Sequence, residues 1–152
     1  MSKIGLFPGS FDPFTKGHEA VIRKSLPLFD NVIIGVGVNT SKKNMFSLEK
    51  RMEHINTLFK DEPMITVKSF QSLTVNFCKD IGAQFIIRGL RDSKDFQYEK
   101  SIAHMNYDIS GIDTVFFLTE QKYSAINSSI IREIAKNGGN IDSFVTNPNL
   151  LV

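Results

Sequence analysis

The sequence predicts a single α/β domain in which a five-stranded parallel sheet carries helices on both faces. Three observations predict it. Five short apolar runs alternate with segments whose apolar residues recur at helical spacing. The second run, Val32-Ile33-Ile34 with Val36 and Val38, is nearly continuous, as in a strand buried on both sides. The unusual polar residues gather in the strand-to-helix loops and not in the helix-to-strand loops. In a parallel sheet the strand-to-helix loops share one edge, where such folds bind ligands. A length of 152 residues makes 1–152 one domain, long enough to bury a proper core.

The first strand is expected at residues 3–7. The loop Gly9-Ser10-Phe11-Asp12-Pro13-Phe14-Thr15-Lys16-Gly17-His18 follows and opens a helix over about 17–29. Gly9 is expected to turn the chain sharply, and Gly17 to let a ligand approach the backbone. Pro27 should kink or stop this helix. The second strand spans 31–38, and a polar loop at 39–46 carries Lys42 and Lys43. Ser47 caps the second helix, with Lys50 where the acid of a capping box would stand. Its apolar stripe is Leu48, Met52, Ile55 and Phe59, and His54 falls off that stripe as an expected surface residue. Strand three is 65–70, and helix three runs from about 73 to 81, stopped by Gly82. Strand four is 84–87, ending in Arg88-Gly89-Leu90-Arg91. Helix four runs over about 95–109 to Gly111, and strand five is 114–118. A polar loop at 119–127 leads to a last helix, capped by Asn127 or Ser128, that ends near Lys136 before Gly138-Gly139. The tail at 140–152 is polar and then apolar. With right-handed crossovers this is a Rossmann-like domain.

Composition narrows the function. A net charge of +2 is too small for a nucleic-acid or membrane surface, so any positive site must be local. The single cysteine, Cys78, lies among Leu73, Phe77 and Ile81 and reads as a buried core thiol. No apolar run is long enough to cross a bilayer and no signal peptide precedes the first strand, so the expected location is cytoplasmic.

The first loop joins a strand end to a helix N-terminus, whose unpaired N–H groups attract anions. A plain reading is a βα loop with a capping Thr15 and an incidental His18. Lys42, Arg88 and Arg91 change that reading, since two arginines three apart and a lysine make a pocket for several phosphates. There is no GxxxxGK[ST], no GxGxxG, no zinc-ligand spacing and no GxSxG elbow. Phosphate-binding donors without a nucleophile point to substrates that react directly, one phosphate attacking another while the protein aligns them.

The chain resembles the bacterial-type phosphopantetheine adenylyltransferases of the T/HxGH nucleotidyltransferase superfamily. Four signatures carry the resemblance: Gly9-Ser10-Phe11-Asp12-Pro13 with Thr15-x-Gly17-His18; Ser41-Lys42-Lys43 with Met45-Phe46; Ile87-Arg88-Gly89-Leu90-Arg91 with Asp95-Phe96-x-Tyr98-Glu99; and Ser128-Ser129 with Arg132-Glu133. Ala103-His104-Met105-Asn106 also fits, and the match extends to about residue 145. The resemblance implies transfer of the adenylyl group of ATP to 4′-phosphopantetheine, giving dephospho-coenzyme A and pyrophosphate, with Mg²⁺ and no covalent intermediate. It implies His18, Lys42 and Arg91 as catalytic, with His18 at the α-phosphate. ATP would be held by Ser10, Phe11, His18, Gly89, Leu90, Arg91, Glu99, Tyr123, Ser124, Ala125, Ile126, Asn127, Ser128 and Ser129. The acceptor would meet Ser10, Lys42, Thr74 and Arg88. Asp12 is expected to organise the loop as an acceptor and not to ligate metal, and His104 to pack or to touch another subunit. The resemblance further implies a homohexamer and coenzyme A as inhibitor.

Some positions differ from the family pattern. Asn127 stands where a serine is common, Ser10 where threonine is also common, and Pro27 in a helix that usually lacks it. The short C-terminal end leaves little room for a final helix. Two alternatives remain open at this point. One is a superfamily member acting on nicotinamide mononucleotide, or on glycerol 3-phosphate with CTP. The other is a non-catalytic nucleotide-binding relative.

Overall fold

The strand residues sort between two cores by simple alternation. Leu6, Ile33 and Ile86 join one apolar cluster, and their neighbours Phe7, Val32, Ile34 and Ile87 join the other. Side chains two apart share a face of a strand, so the three strands that carry these residues contribute to both. The computed structural model describes residues 2–152. Its strands are β1 (Ile4–Gly9), β2 (Asn31–Gly37), β3 (Ile65–Phe70), β4 (Phe85–Leu90) and β5 (Asp113–Leu118). They pair in parallel in the order β3-β2-β1-β4-β5.

The helices are α1 (Lys16–Ser25), α2 (Leu48–Leu58), α3 (Thr74–Ile81), α4 (Ser93–Ser110) and α5 (Ser128–Lys136). Val21 and Ile22 of α1 and Ile55 of α2 enter the cluster with Phe7, while Val75, Phe77 and Cys78 of α3 enter the cluster with Leu6. Helices therefore cover both faces, and Cys78 is fully buried as expected. Burial also pushes its thiol up to about 11, far from the reactive range.

The sheet is asymmetric at its centre. β1 and β2 pair at six successive positions, from Ile4–Asn31 to Gly9–Val36. β1 and β4 pair only at Gly5–Phe85 and Leu6–Ile86. Beyond those two positions the strands part, and the gap opens at their C-terminal ends. This is the point where the strand order reverses, the usual ligand crevice of an open α/β sheet.

Several expected boundaries shift. β4 runs to Leu90, so Arg88 and Gly89 are strand residues and not loop residues. α4 begins at Ser93 because Asp92 caps it, its carboxylate accepting the Asp95 N–H at 2.8 Å. α1 ends at Ser25 and Pro27 sits in a 3-10 turn at Leu26–Leu28, as its fixed φ favours. Asn127 caps α5. Ser47 accepts the Lys50 N–H at 3.2 Å, half of a capping box. In the first loop the left-handed residue is Phe11, with φ 49°, and not Gly9. Gly9 is needed for space, since a Cβ there would lie 2.8 Å from the Phe11 ring.

The tail is ordered and shapes its surroundings. Phe144 O accepts the Lys16 N–H at the start of α1, and Thr146 Oγ1 donates to Glu19. Val145 and Leu151 join Phe46 and Ile131 in a third apolar cluster, and the chain closes in a 3-10 turn at Pro148–Leu151. This packing overturns the surface placement of His54. The residue is fully buried, with Nε2 2.7 Å from Thr146 O. The α2 stripe facing the sheet omits His54, but the tail covers the adjacent helix face. If the tail is part of the core, Leu151→Ala should lower unfolding stability by about 2–5 kcal/mol, the range for emptying a buried leucine site. Urea denaturation reads this, and a loss under ~0.5 kcal/mol would mean the tail merely rests on the surface.

Candidate active site

The crevice between β1 and β4 holds two adjoining pockets. The larger, about 650 Å³, lies between the ends of β1, β2 and β4 and the α4 helix, and its walls include Ser10, Lys42, Thr74, Arg88, Tyr98, Glu99 and Asn106. The smaller, about 230 Å³, lies over the start of α1 and is walled by Gly17, His18, Arg88, Gly89, Arg91, Glu99, Tyr123, Ile126, Asn127, Ser128 and Ser129. Arg88 and Glu99 belong to both and form the partition.

That partition is tightly built. Arg88 leaves β4 on the α4 side and meets Glu99 through Nε and Nη2 at 3.0 and 2.7 Å, a bidentate pair. Its Nη1 donates to Pro8 O at 2.7 Å, across the gap where β1 and β4 have parted. The next residue, Gly89, faces α1, and a Cβ there would lie 2.7 Å from Val21 Cγ2. Arg91 makes the same kind of fork to Asp95, with Nη1 on Ile126 O at 3.2 Å. This pairing raises the Arg91 pKa, and it holds the Asp95 carboxyl below its usual range. Of the three predicted phosphate-binding cations, only Lys42 has no carboxylate in ion-pair reach among the described residues.

His18 sits on the first turn of α1. Thr15 and His18 form a complete capping box: Thr15 Oγ1 accepts the His18 N–H at 3.2 Å, and the Thr15 N–H donates to His18 Nδ1 at 3.0 Å. The capping role expected of Thr15 is present, and the His18 side chain takes part in it. A backbone N–H only donates, so Nδ1 must be the bare nitrogen and Nε2 carries the proton. The rings of Phe7, Phe11 and Phe14 surround the imidazole with centroids at 6.1, 5.1 and 5.2 Å. Desolvation among them, then the charges of Arg88 and Arg91, push its pKa down to about 3. His18 is thus a neutral N–H donor on the wall of the smaller pocket.

The loops around the pockets are tied together by Asp12 and by two arginines, Arg51 and Arg132, to which the sequence assigned no role. Asp12 is buried, and its carboxylate accepts from Phe46 N at 2.9 Å, Met45 N at 2.9 Å and Asn44 Nδ2 at 3.3 Å. This is the organising role expected of it. Arg51, also buried, donates through Nε to Phe46 O and through Nη1 to Ser10 O. Arg132 reaches Asp12 O with Nη1 and Ser129 Oγ with Nη2. Arg132 stood in a quoted motif without a role. Arg51 gave no signal, because a helical arginine off the apolar stripe looks like any surface residue. Tyr98 and Asn106 were likewise in quoted strings, but only the position of α4 brings them to the larger pocket.

Not every predicted contact lines a pocket. Ser10 borders only the larger one, and His18 only the smaller. Phe11 and Leu90 are buried, while Ser124 and Ala125 are exposed outside both pockets. Asn127 caps α5 by accepting from Ser129 N at 2.8 Å, which accounts for the asparagine in that loop. Ser128 Oγ donates to Pro13 O. No group of three or more acidic, histidine or cysteine side chains that could hold a metal occurs among the described residues. The carboxylates of Asp12, Asp95 and Glu99 are all taken by protein N–H donors. The side chains do not fit a protein-held Mg²⁺.

The cytidylyltransferase-like family matches residues 6–134, the span that holds the open parallel sheet, the two pockets at its switch point and the T-x-G-H turn, and this defines the class as a nucleotidyltransferase. More narrowly, the chain belongs to the phosphopantetheine adenylyltransferase family. The protein of that name from Flavobacterium psychrophilum is 52% identical over 140 residues, covering 92% of this chain and 93% of its own. That from Lachnoclostridium phytofermentans is 49% identical over 146 residues, 95% of this chain and 90% of its own. Among solved structures, a bifunctional NMN adenylyltransferase/ADP ribose pyrophosphatase from Francisella tularensis, complexed with AMP and a manganese ion, superposes with TM-score 0.71 at 22% identity. It aligns over 97% of this chain and 46% of that one, and the likeness concerns the fold.

The His18 environment has a pH consequence. Its folded pKa lies below the unfolded value near 6.5, so the unfolded state takes up the proton first as pH falls. This group's contribution to stability is fully present above about pH 6.5 and declines as pH falls towards 3. In the free protein the His18 ring should stay in the Nε2–H form between about pH 5 and 8, with no titration step in its ¹⁵N NMR shifts. A midpoint near the ordinary histidine value would contradict the neutral Nε2–H tautomer.

Proposed function

We propose that the chain works in coenzyme A synthesis by joining ATP and 4′-phosphopantetheine into dephospho-coenzyme A and pyrophosphate. The observation that carries this reading is the pair of pockets meeting at the Arg88–Glu99 partition, one beside the His18 helix turn and one beside Lys42. Two phosphate-bearing substrates entering from opposite sides would bring their phosphates together there.

In the proposed reaction a phosphate oxygen of the acceptor attacks the α-phosphorus of ATP in line. The bond from that phosphorus to the bridging oxygen breaks, and pyrophosphate leaves with the electron pair. His18 Nε2–H donates to the charge growing on the α-phosphate oxygens. Being neutral, it stabilises that charge without becoming a proton acceptor. Arg91, with Gly89 and the turn from Tyr123 to Ser129, holds the nucleotide. Gly17 lies on the wall of the smaller pocket, and a Cβ there would stand 3.4 Å from Thr15 Oγ1 and 3.9 Å from Tyr123. Lys42, Ser10, Thr74 and Arg88 hold the acceptor. Mg²⁺ would arrive on the ATP phosphates, since the side chains provide no cage for it, and no step is assigned to it.

Further parts of the same reading come from the family resemblance. Coenzyme A shares the pantetheine arm of the acceptor and would inhibit by occupying the larger pocket. A homohexamer would cover the exposed Met105, Tyr107 and Ile109 of α4. A cytoplasmic location suits a biosynthetic role, and no helix among the described residues is long and apolar enough to cross a membrane.

Pyrophosphate release from ATP and Mg²⁺ should occur with 4′-phosphopantetheine and not with nicotinamide mononucleotide. No release with either, from folded protein that binds ATP, would overturn the reading in favour of a non-catalytic nucleotide binder. His18→Ala should lower kcat by about 10²–10³, the scale for one donor to a developing oxyanion, with ATP affinity nearly unchanged. Lys42→Ala should raise KM for 4′-phosphopantetheine by about tenfold or more while KM for ATP stays within about twofold. Parental KM values in steady-state assays would remove Lys42 from the acceptor site.

A further inference from the structure

Lys42 lies on an exposed segment between β2 and α2, yet its role requires a fixed reach into the larger pocket. The segment is fastened at both ends. At its start Asn39 Oδ1 accepts from Ser41 N and Ser41 Oγ, and Asn39 O accepts from Lys42 N. At its end Phe46 is gripped twice, its N–H by the Asp12 carboxylate and its C=O by Arg51. Both grips lead back to the His18 loop, because Asp12 belongs to it and Arg51 also holds Ser10 O.

We infer that Asp12 is the positioning residue for Lys42: its buried carboxylate, bonded to Met45, Phe46 and Asn44, locks the lysine segment to the His18 loop. This inference rests on Lys42 serving the acceptor. Asp12 does not face the substrates, since both of its oxygens are spent on the segment that bears Lys42. Its backbone carbonyl, held by Arg132, extends the link to Ser129 at the start of α5. One residue thereby joins the loop after β1, the lysine segment and the nucleotide-side turn. Loosening it should be felt as a lost Lys42 contact and not as a lost His18 contact.

Asp12→Asn keeps the shape but turns one acceptor oxygen into a donor facing a backbone N–H. Losing a hydrogen bond to a charged group in this way should cut kcat/KM for 4′-phosphopantetheine by about 10- to 100-fold, with KM for ATP within about twofold. The decisive measurement is a double-mutant cycle with Lys42→Ala on the full-length chain. If Asp12 acts through Lys42, Asp12→Asn should change kcat/KM less than about threefold in the Lys42→Ala background. Equal losses in both backgrounds would overturn the inference. So would a loss reversed by raising Mg²⁺, which would make Asp12 a metal-associated group. If Asp12→Asn does not fold, Asn44→Ala removes a single bond to the same carboxylate and enters the same cycle, and additivity there is equally fatal. Parental turnover is the separate control: without pyrophosphate release by the unaltered chain, the acceptor reading fails first and the role of Asp12 falls with it.

Discussion

The parting of β1 and β4 after only two paired positions is the constraint on which the rest depends. A fully paired centre would leave no crevice, and an unbraced gap would leave backbone polar groups exposed inside the fold. Arg88 resolves this by reaching from one strand to Pro8 O on the other while its remaining fork rests on Glu99. The same guanidinium thus braces the sheet and divides the crevice into two compartments. Its placement follows from β4 continuing three residues beyond Ile87, which puts Arg88 on the α4 side and Gly89 against α1.

The electrostatics of the site are restrained. Arg88 and Arg91 are each paired with a carboxylate, so the protein folds without a concentrated positive charge that only substrate could relieve. Lys42 is left as the cation with no such pair in that trio, at the mouth of the larger pocket. His18 is kept neutral by three phenylalanine rings and by two neighbouring arginines. A neutral donor on a helix N-terminus suits a reaction whose nucleophile is already a phosphate oxygen. A base would have nothing to deprotonate.

Two arginines and an aspartate hold this arrangement together from beneath. Arg51, Arg132 and Asp12 each satisfy backbone groups of loops that are distant in sequence but adjacent in space. Asp12 and Arg51 are buried charges, costly to leave unpaired, so their bonds select one loop arrangement over others. The tail adds a second set of ties, through Phe144 O to Lys16 and through Thr146 to Glu19 and His54. Both sets converge on the turn that carries His18.

The sequence by itself determined the sheet and its helices, because strand and helix periodicities depend on local spacing alone. It also determined the edge on which the site lies, since in a parallel sheet every strand-to-helix loop leaves from the same side. His18, Lys42, Arg88 and Arg91 were legible there as phosphate-binding types in loops or at strand ends. Tertiary structure alone decided which of these residues share a pocket, that Arg88 and Glu99 form the partition, and that the side chains of Leu90, Ser124 and Ala125 line neither pocket. It also decided that His54 is buried and that Arg51 matters. These outcomes depend on contacts between segments far apart in the chain. A residue's periodicity on its own helix reports the face turned to the sheet, but not the face that a distant tail or loop comes to cover.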